Sequence, residues 1–296
     1  CKNNNASIFL YGIKIPDIAD THLGGSDRAG YGQQERYLEY FEHLMAVFSQ
    51  WIKQRGDINF VIHGGDMVED SSAENIAEAV RLFEQLPCPV YLALGNHDLT
   101  EDDSVSKWLT AAPAFFSGQS VDFSFTQEDV KFDLLSCHWG KQVYRWNDSE
   151  PQIPYLNKEQ IGLTARDGNN YHVLVTHSPV FGLPPEQTGL DKYLHPPAGN
   201  FCDTIHRLAL NQGISLVLGA HTHMNMHHCK DGIHYVTVSA FSEIPFEFKI
   251  FELNGKNISM ETVSLVDKVD FNGIYNFDKT YTQGRPCDRS FNEVLI

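Results

Sequence analysis

Apolar residues recur along the chain in short runs separated by longer amphipathic stretches. Ile8 to Ile18 is rich in β-branched and apolar residues and predicts a strand, with a bend or edge at Pro16 because proline cannot donate to a ladder. From Gln33 to Arg55 the residues Tyr37, Phe41, Leu44, Met45, Phe48, Trp51 and Ile52 fall at helical spacing, and Gly56 follows as a stop. Asn59 to Ile62 reads as a short buried strand. Ser71 to Gln85 reads as a second amphipathic helix, opened by Ser71 with Glu74 three residues on, and Val90 to Leu94 as a strand. Val121 to Ser136 predicts two strands joined around Glu128-Asp129, and the aromatic, turn-rich stretch up to Tyr155 a surface loop. Asn157 to Ala165 is expected to be a helix and His172 to Thr176 a strand. Ile205, Leu208, Ala209 and Gln212 mark a further helix, and Leu216 to Leu218 another buried strand. From Met226 onward the pattern changes to hairpins, with Asp231-Gly232 and Asn254-Gly255 as turn pairs, so an antiparallel meander should close the fold. Asp270 to Ile296 has little periodicity and reads as an irregular tail. With no repeat or linker, one domain over residues 1–269 followed by a tail over 270–296 is expected.

Composition narrows the class. The 296 residues are 42% hydrophobic and 20% charged, which excludes disordered, collagen-like and coiled-coil readings. No run approaches the roughly 18 apolar residues that a membrane helix needs. A net charge of −16 works against a nucleic-acid partner, whose binding is driven by clustered Lys and Arg displacing counterions. Six scattered cysteines, without CxxC spacing, indicate neither a disulfide framework nor a thiol-zinc site. The cytoplasm is the expected compartment, with Cys1 followed by Lys2-Asn3-Asn4-Asn5 raising the alternative of a lipid-anchored exported protein.

The informative polar residues stand just after apolar strands. Asp20-Thr21-His22 follows the first strand, Gly64-Gly65-Asp66 the second and Gly95-Asn96-His97-Asp98 the third. His177 and His221-Thr222-His223 follow two later ones. In an open α/β sheet such strand ends converge on one crevice, so these residues can form a single site. Carboxylate, imidazole and amide oxygen together suit Mn, Fe, Zn or Ni, whereas an all-oxygen set would favour Mg or Ca. The inventory is large enough for two transition ions about 3.5–4 Å apart, with Asp66 the candidate bridge. The nine other histidines, among them His63, His138, His227 and His234, are read as structural or surface groups, with His138 and Trp139 placed where they could line the pocket.

In that order the motifs D-x-H, G-D, G-N-H-D/E, H and G-H-x-H resemble those of the calcineurin-like metallophosphoesterases. The one departure is Ala220 where the last motif usually has Gly, a change that removes no ligand. The resemblance implies an α/β fold, a four-layer sandwich of two mixed β-sheets flanked by helices. It implies one metal held by Asp20, His22, Asp66 and His223 and a second held by Asp66, Asn96, His177 and His221, with His97 facing the substrate and Asp98 orienting it. The implied reaction is in-line attack by a metal-bridging hydroxide on a small phosphodiester or phosphomonoester, with two Mn, Fe or Zn ions as cofactors and no long nucleic acid as partner. Gly65-Asp66-Met67-Val68-Glu69-Asp70-Ser71 lacks the Arg of the protein Ser/Thr phosphatases, and Glu69 stands where purple acid phosphatases place a metal-binding Tyr. The compact class that includes bacterial cyclic-nucleotide phosphodiesterases remains. Two alternatives to this dinuclear hydrolase are a mononuclear zinc hydrolase and a non-catalytic interaction module on the same fold.

Overall fold

The computed structural model describes residues 12–27, 33–118, 120–166, 168, 171–197, 199–254 and 257–294. Cys1, the beginning of the first expected strand (residues 8–11) and Gly255 of the second turn pair lie outside them. The strands are β1 (Ile13–Ile18), β2 (Val61–His63), β3 (Val90–Leu92), β4 (Phe123–Gln127), β5 (Val130–Leu135), β6 (His138–Trp139), β7 (Ile153–Pro154), β8 (Tyr171–Thr176), β9 (Leu216–Gly219), β10 (Met226–Lys230), β11 (Ile233–Thr237), β12 (Glu247–Asn254), β13 (Asn257–Ser264) and β14 (Ser290–Val294). The helices are α1 (Phe41–Arg55), α2 (Ala73–Phe83), α3 (Ser104–Ala111), α4 (Lys158–Leu163), α5 (Pro185–Thr188), α6 (Gly199–Gln212) and α7 (Pro286–Arg289).

Two six-stranded mixed sheets run β14-β13-β12-β1-β2-β3 and β10-β11-β9-β8-β5-β4, and β6 pairs with β7 in a separate ribbon. In the first sheet β1, β2 and β3 are parallel while β12, β13 and β14 form an antiparallel meander. In the second, β5, β8, β9 and β11 are parallel, with β4 and β10 antiparallel at the two edges. The four-layer sandwich follows from side-chain alternation. Val173 and Val175 of β8 join the large core that also holds Ile13, Ile15 and Phe60, while Leu174 between them packs with Phe201, Ile205 and Ala209 of α6. On the opposite outer face α1 sets Phe48 against Phe241 and against Phe248 of β12, and Gly56 ends that helix in the left-handed conformation, φ 68°.

Several expectations need correction. The first helix begins at Phe41 rather than Gln33, and the aromatic stretch expected as a surface loop holds the β6–β7 ribbon and buries Trp139 completely. Pro16 makes no edge: it lies within β1 opposite Ile250, and β2 joins β1 only from Asp17 onward, so the missing donor falls outside the parallel ladder. The second helix is capped by Ser72, whose side chain accepts from Asn75 N, while Ser71 bonds instead to Thr100 and Ser104. The closing hairpins do not form one meander, because β10 and β11, joined by the left-handed pair Asp231-Gly232, extend the second sheet rather than the first. The segment after Asp270 is not wholly irregular. It is fastened by Asn225 N to Thr282 O at 2.8 Å and by Arg289 to Glu247 at 2.6 Å, and it ends by adding β14 to the first sheet.

Candidate metal centre

The parallel strands deliver the site. Asp20 and His22 follow β1, Asp66 follows β2, Asn96 and His97 follow β3, His177 follows β8, and His221 and His223 follow β9. The turns that aim them are strained: Asp20, His22, Asp66, His221 and His223 all have φ between 50° and 68°, a region that non-glycine residues seldom occupy. Close approach also requires glycine. A Cβ on Gly95 would sit 2.3 Å from Asp66 Oδ1, and one on Gly65, at φ 105°, 2.6 Å from His177 Nδ1.

All seven candidate ligands meet in one place. His22 Nδ1 lies 3.0 Å from Glu69 Oε2 and His223 Nδ1 2.6 Å from Glu243 Oε1. Both Nδ1 atoms therefore carry a proton, and the two Nε2 atoms face each other at 3.2 Å. His177 likewise donates Nδ1–H to Gly64 O at 3.0 Å, leaving its Nε2 3.2 Å from His221 Nδ1 and 3.1 Å from Asp66 Oδ2. Asn96 Oδ1 reaches His221 Nδ1 at 3.1 Å, and Asp20 Oδ1 lies 3.5 Å from His223 Nε2. Asp66 Oδ2 stands between the two histidine pairs, 3.8 Å from His22 Nε2 on the other side.

This donor set fits transition-metal ions. Imidazole nitrogens and carboxylate oxygens crowded this closely in a buried space call for a cation to be shared among them, and outer carboxylates on histidine Nδ1 are the usual support of metal-ligating imidazoles. The groups Asp20-His22-His223 and Asp66-His177-His221 each bring their ligand atoms within 4.8 Å of one another; so does His22-Asp66-His97. Charge follows the same plan. Burial opposes ionisation of Asp66, but His177 above all holds its carboxyl well below the usual range. Burial likewise disfavours the charged form of His177, yet Asp66 outweighs it and lifts the imidazole to about 9. Burial drives His22 down to about 3 against the pull of Glu69.

Asp98 departs from its expected role. Its carboxylate does not touch His97; it accepts from the backbone N–H groups of Met67, Val68 and Gly95 at 2.9, 3.2 and 2.8 Å, tying the second and third ligand loops together. Burial, then the neighbouring Asp66, raises its carboxyl to about 7. His97 is oriented instead by Glu69 O, 2.7 Å from its Nδ1, and its ring lies between those of His22 and Trp146, with centroids 4.7 Å away on each side. Sequence reasoning missed Glu243, Arg36 and the supporting role of Glu69. Arg36 pairs with Glu69 at 3.1 Å and approaches Glu243 at 3.9 Å, joining the two outer carboxylates. His138, read as structural or pocket-lining, lies against His221, the rings tilted by 36° with centroids 4.1 Å apart.

His63 supports the site from below. Gly65 N–H donates to its Nδ1 at 3.2 Å, so its Nε2–H faces Thr21 Oγ1 at 3.1 Å, and the Thr21 hydroxyl donates to Met67 O at 2.8 Å. This neutral tautomer is fully paired, and burial pushes the ring to about 3 from its ordinary 6.5. The unfolded chain therefore binds the extra proton first. The stability His63 contributes is present above about pH 6.5 and is lost as pH falls towards 3, at about 1.4 kcal/mol per unit. Urea unfolding of metal-free protein between these pH values should show a shallower decline in His63→Gln than in the parent chain; equal slopes would contradict the assignment.

Three comparisons bear on this geometry. The family model described as calcineurin-like phosphoesterase matches residues 18–225. The chain is 24% identical over 192 residues to the 3',5'-cyclic adenosine monophosphate phosphodiesterase CpdA of Haemophilus influenzae, covering 61% of this chain and 60% of that one. It is 24% identical over 143 residues to purple acid phosphatase 4 of Arabidopsis thaliana, covering 42% of each. The alignments thus span less than two thirds of these curated relatives. Among solved structures, GAP50, described as the anchor in the inner membrane complex of Plasmodium, superposes with a TM-score of 0.57 at 13% identity over 90% of both chains, a likeness of fold alone.

Proposed function

Because the chain belongs to the calcineurin-like phosphoesterase family, we propose that it is a metal-dependent phosphoric ester hydrolase with a dinuclear centre bridged by Asp66. Asp20, His22, Asp66 and His223 would hold one ion, and Asp66, Asn96, His177 and His221 the other. The observation that carries this reading is the position of Asp66 between two histidine pairs, each with nitrogens facing at 3.2 Å. Two divalent ions bound there would supply Lewis-acid polarisation of the phosphoryl group and an activated water near neutral pH.

The chain's own residues supply the rest. His97 is half-buried and fixed through Nδ1, so Nε2 is the nitrogen left to hydrogen-bond a phosphoryl oxygen or to pass a proton to the leaving oxygen. Glu69, Glu243 and Gly64 O keep three imidazoles in the ligating tautomer, and Asp98 holds the loops of Asp66 and Asn96 in register. Beside His97 a pocket of about 380 Å³ is lined by Glu69, Asp70, Arg145, Trp146 and Asp148, room for a small polar alcohol rather than a long chain. The kinship with a cyclic-nucleotide phosphodiesterase supports a small phosphodiester, cyclic nucleotides included. Glu69 points away from a purple acid phosphatase type of centre, because its carboxylate already serves His22 and Arg36.

Hydrolysis of bis-p-nitrophenyl phosphate should disappear on chelation and return on addition of Mn(II), and a panel of cyclic nucleotides, phospholipid head-group esters and phosphomonoesters should then rank the substrates. A fully metallated protein without turnover on any phosphoester would favour the scaffold role that the anchor protein's shared fold brings to mind.

A further inference from the structure

Far from the ligand loops, the edges of the two sheets meet at a second cluster of ligand-type side chains. Cys229 and His234 are cross-strand partners in the β10–β11 hairpin, and Glu293 belongs to β14, the last strand of the other sheet. The ligand atoms of Cys229, His234 and Glu293 lie within 4.8 Å of one another.

His234 makes this more than a coincidence of polar groups. The residue is 1% exposed, Phe291 stacks over its ring and over that of the neighbouring His227 at 4.4 and 4.5 Å, and no hydrogen-bond partner reaches its Nε2 among the described residues. Its tautomer is set by a relay. His227 Nδ1 lies 3.2 Å from Cys287 O, which can only accept, so His227 carries its proton there and presents a bare Nε2. His234 Nδ1, 3.0 Å from that nitrogen, must donate to it. The proton of His234 is thus on Nδ1, and Nε2 is a buried lone pair aimed at a thiol and, at 3.5 Å, at a carboxylate oxygen. A lone pair and an anion side by side repel, and an unmet buried acceptor is costly. A cation bound by all three removes both penalties.

We propose that Cys229, His234 and Glu293 form a second metal site, for a thiophilic divalent ion of the zinc class, separate from the phosphoesterase centre. Thiolate, imidazole and carboxylate are ordinary zinc donors at about 2.0–2.3 Å, and a histidine that donates its other ring N–H to an outer partner is the customary arrangement. Three protein donors leave a fourth position, which opens on a cleft of about 580 Å³ lined by His234, Glu293 and Asp231. Binding releases the thiol proton to solvent and fastens β14, and with it the end of the chain, to the hairpin of the other sheet. The spacing hid the site from sequence reading: Cys229 and His234 look unrelated until the hairpin register sets them opposite, and Glu293 comes from a strand that sequence periodicity did not announce.

Co(II) titration of the full chain tests this independently of any activity, since the proposed phosphoesterase donors are nitrogen and oxygen only. A thiolate-to-cobalt charge-transfer absorption should develop in the parent chain and in Asp66→Ala, vanish in Cys229→Ser, and need roughly tenfold or more metal in Glu293→Gln. Zn(II) should bleach it, and Cys229→Ser should keep its phosphoesterase activity. Absence of the band in the parent chain at saturating Co(II), or its persistence in Cys229→Ser, would overturn the proposal.

Discussion

Asp66→Ala is expected to lose both ions of the phosphoesterase centre at once and, with them, hydrolysis. Asp66 lies near both histidine pairs, 3.1 Å from His177 and 3.8 Å from His22 through the same oxygen, while its other oxygen accepts from His97 N at 2.8 Å. Its removal takes an anion from each half of the centre and unties the third ligand loop. Charge stabilisation of several kcal/mol goes with the ions, so turnover should fall by roughly three decades or more. Elemental analysis after gel filtration, in a Cys229→Ser background so that the second site does not contribute, measures the loss directly. Retention of one equivalent would mean that the two halves do not share this carboxylate.

His97→Ala should give the opposite pattern, with both ions kept and turnover slowed by roughly two to four decades, the usual range for a positioned proton donor. It is half-buried and lines the pocket, and its Nδ1 is committed to Glu69 O. Its nearness to His22 and Asp66 makes the metal content the decisive reading. Loss of an ion in His97→Ala would move this residue from the substrate to the ligands. Because Asp98 contacts backbone rather than His97, its substitution should act through the ligand loops.

Much of the site was legible because strand ends announce themselves. Each ligand follows an apolar run, and parallel strands place such residues in one crevice whatever their separation in sequence. The helical period of α1 and the Asp231-Gly232 turn were equally open, since both are local. What stayed hidden depends on tertiary approach. Glu243 reaches His223 only once the segment after β11 folds back, and Arg36 meets Glu69 and Glu243 across the site. Asp98 was misassigned because the resemblance implied that it orients His97, whereas the short helical turn at 97–99 sends the carboxylate the other way, into the backbone of the Asp66 loop. The last strand escaped because Ser290–Val294 is largely exposed and has little apolar alternation; its partner β13 orders it.

The central claim is that two cations share the Asp66 carboxylate, and electron paramagnetic resonance of the Mn(II)-loaded Cys229→Ser chain tests it most directly. Two equivalents of Mn(II) should give the spectrum of an exchange-coupled pair, absent from Asp66→Ala. Two magnetically independent ions, or a single ion at saturation, would contradict it.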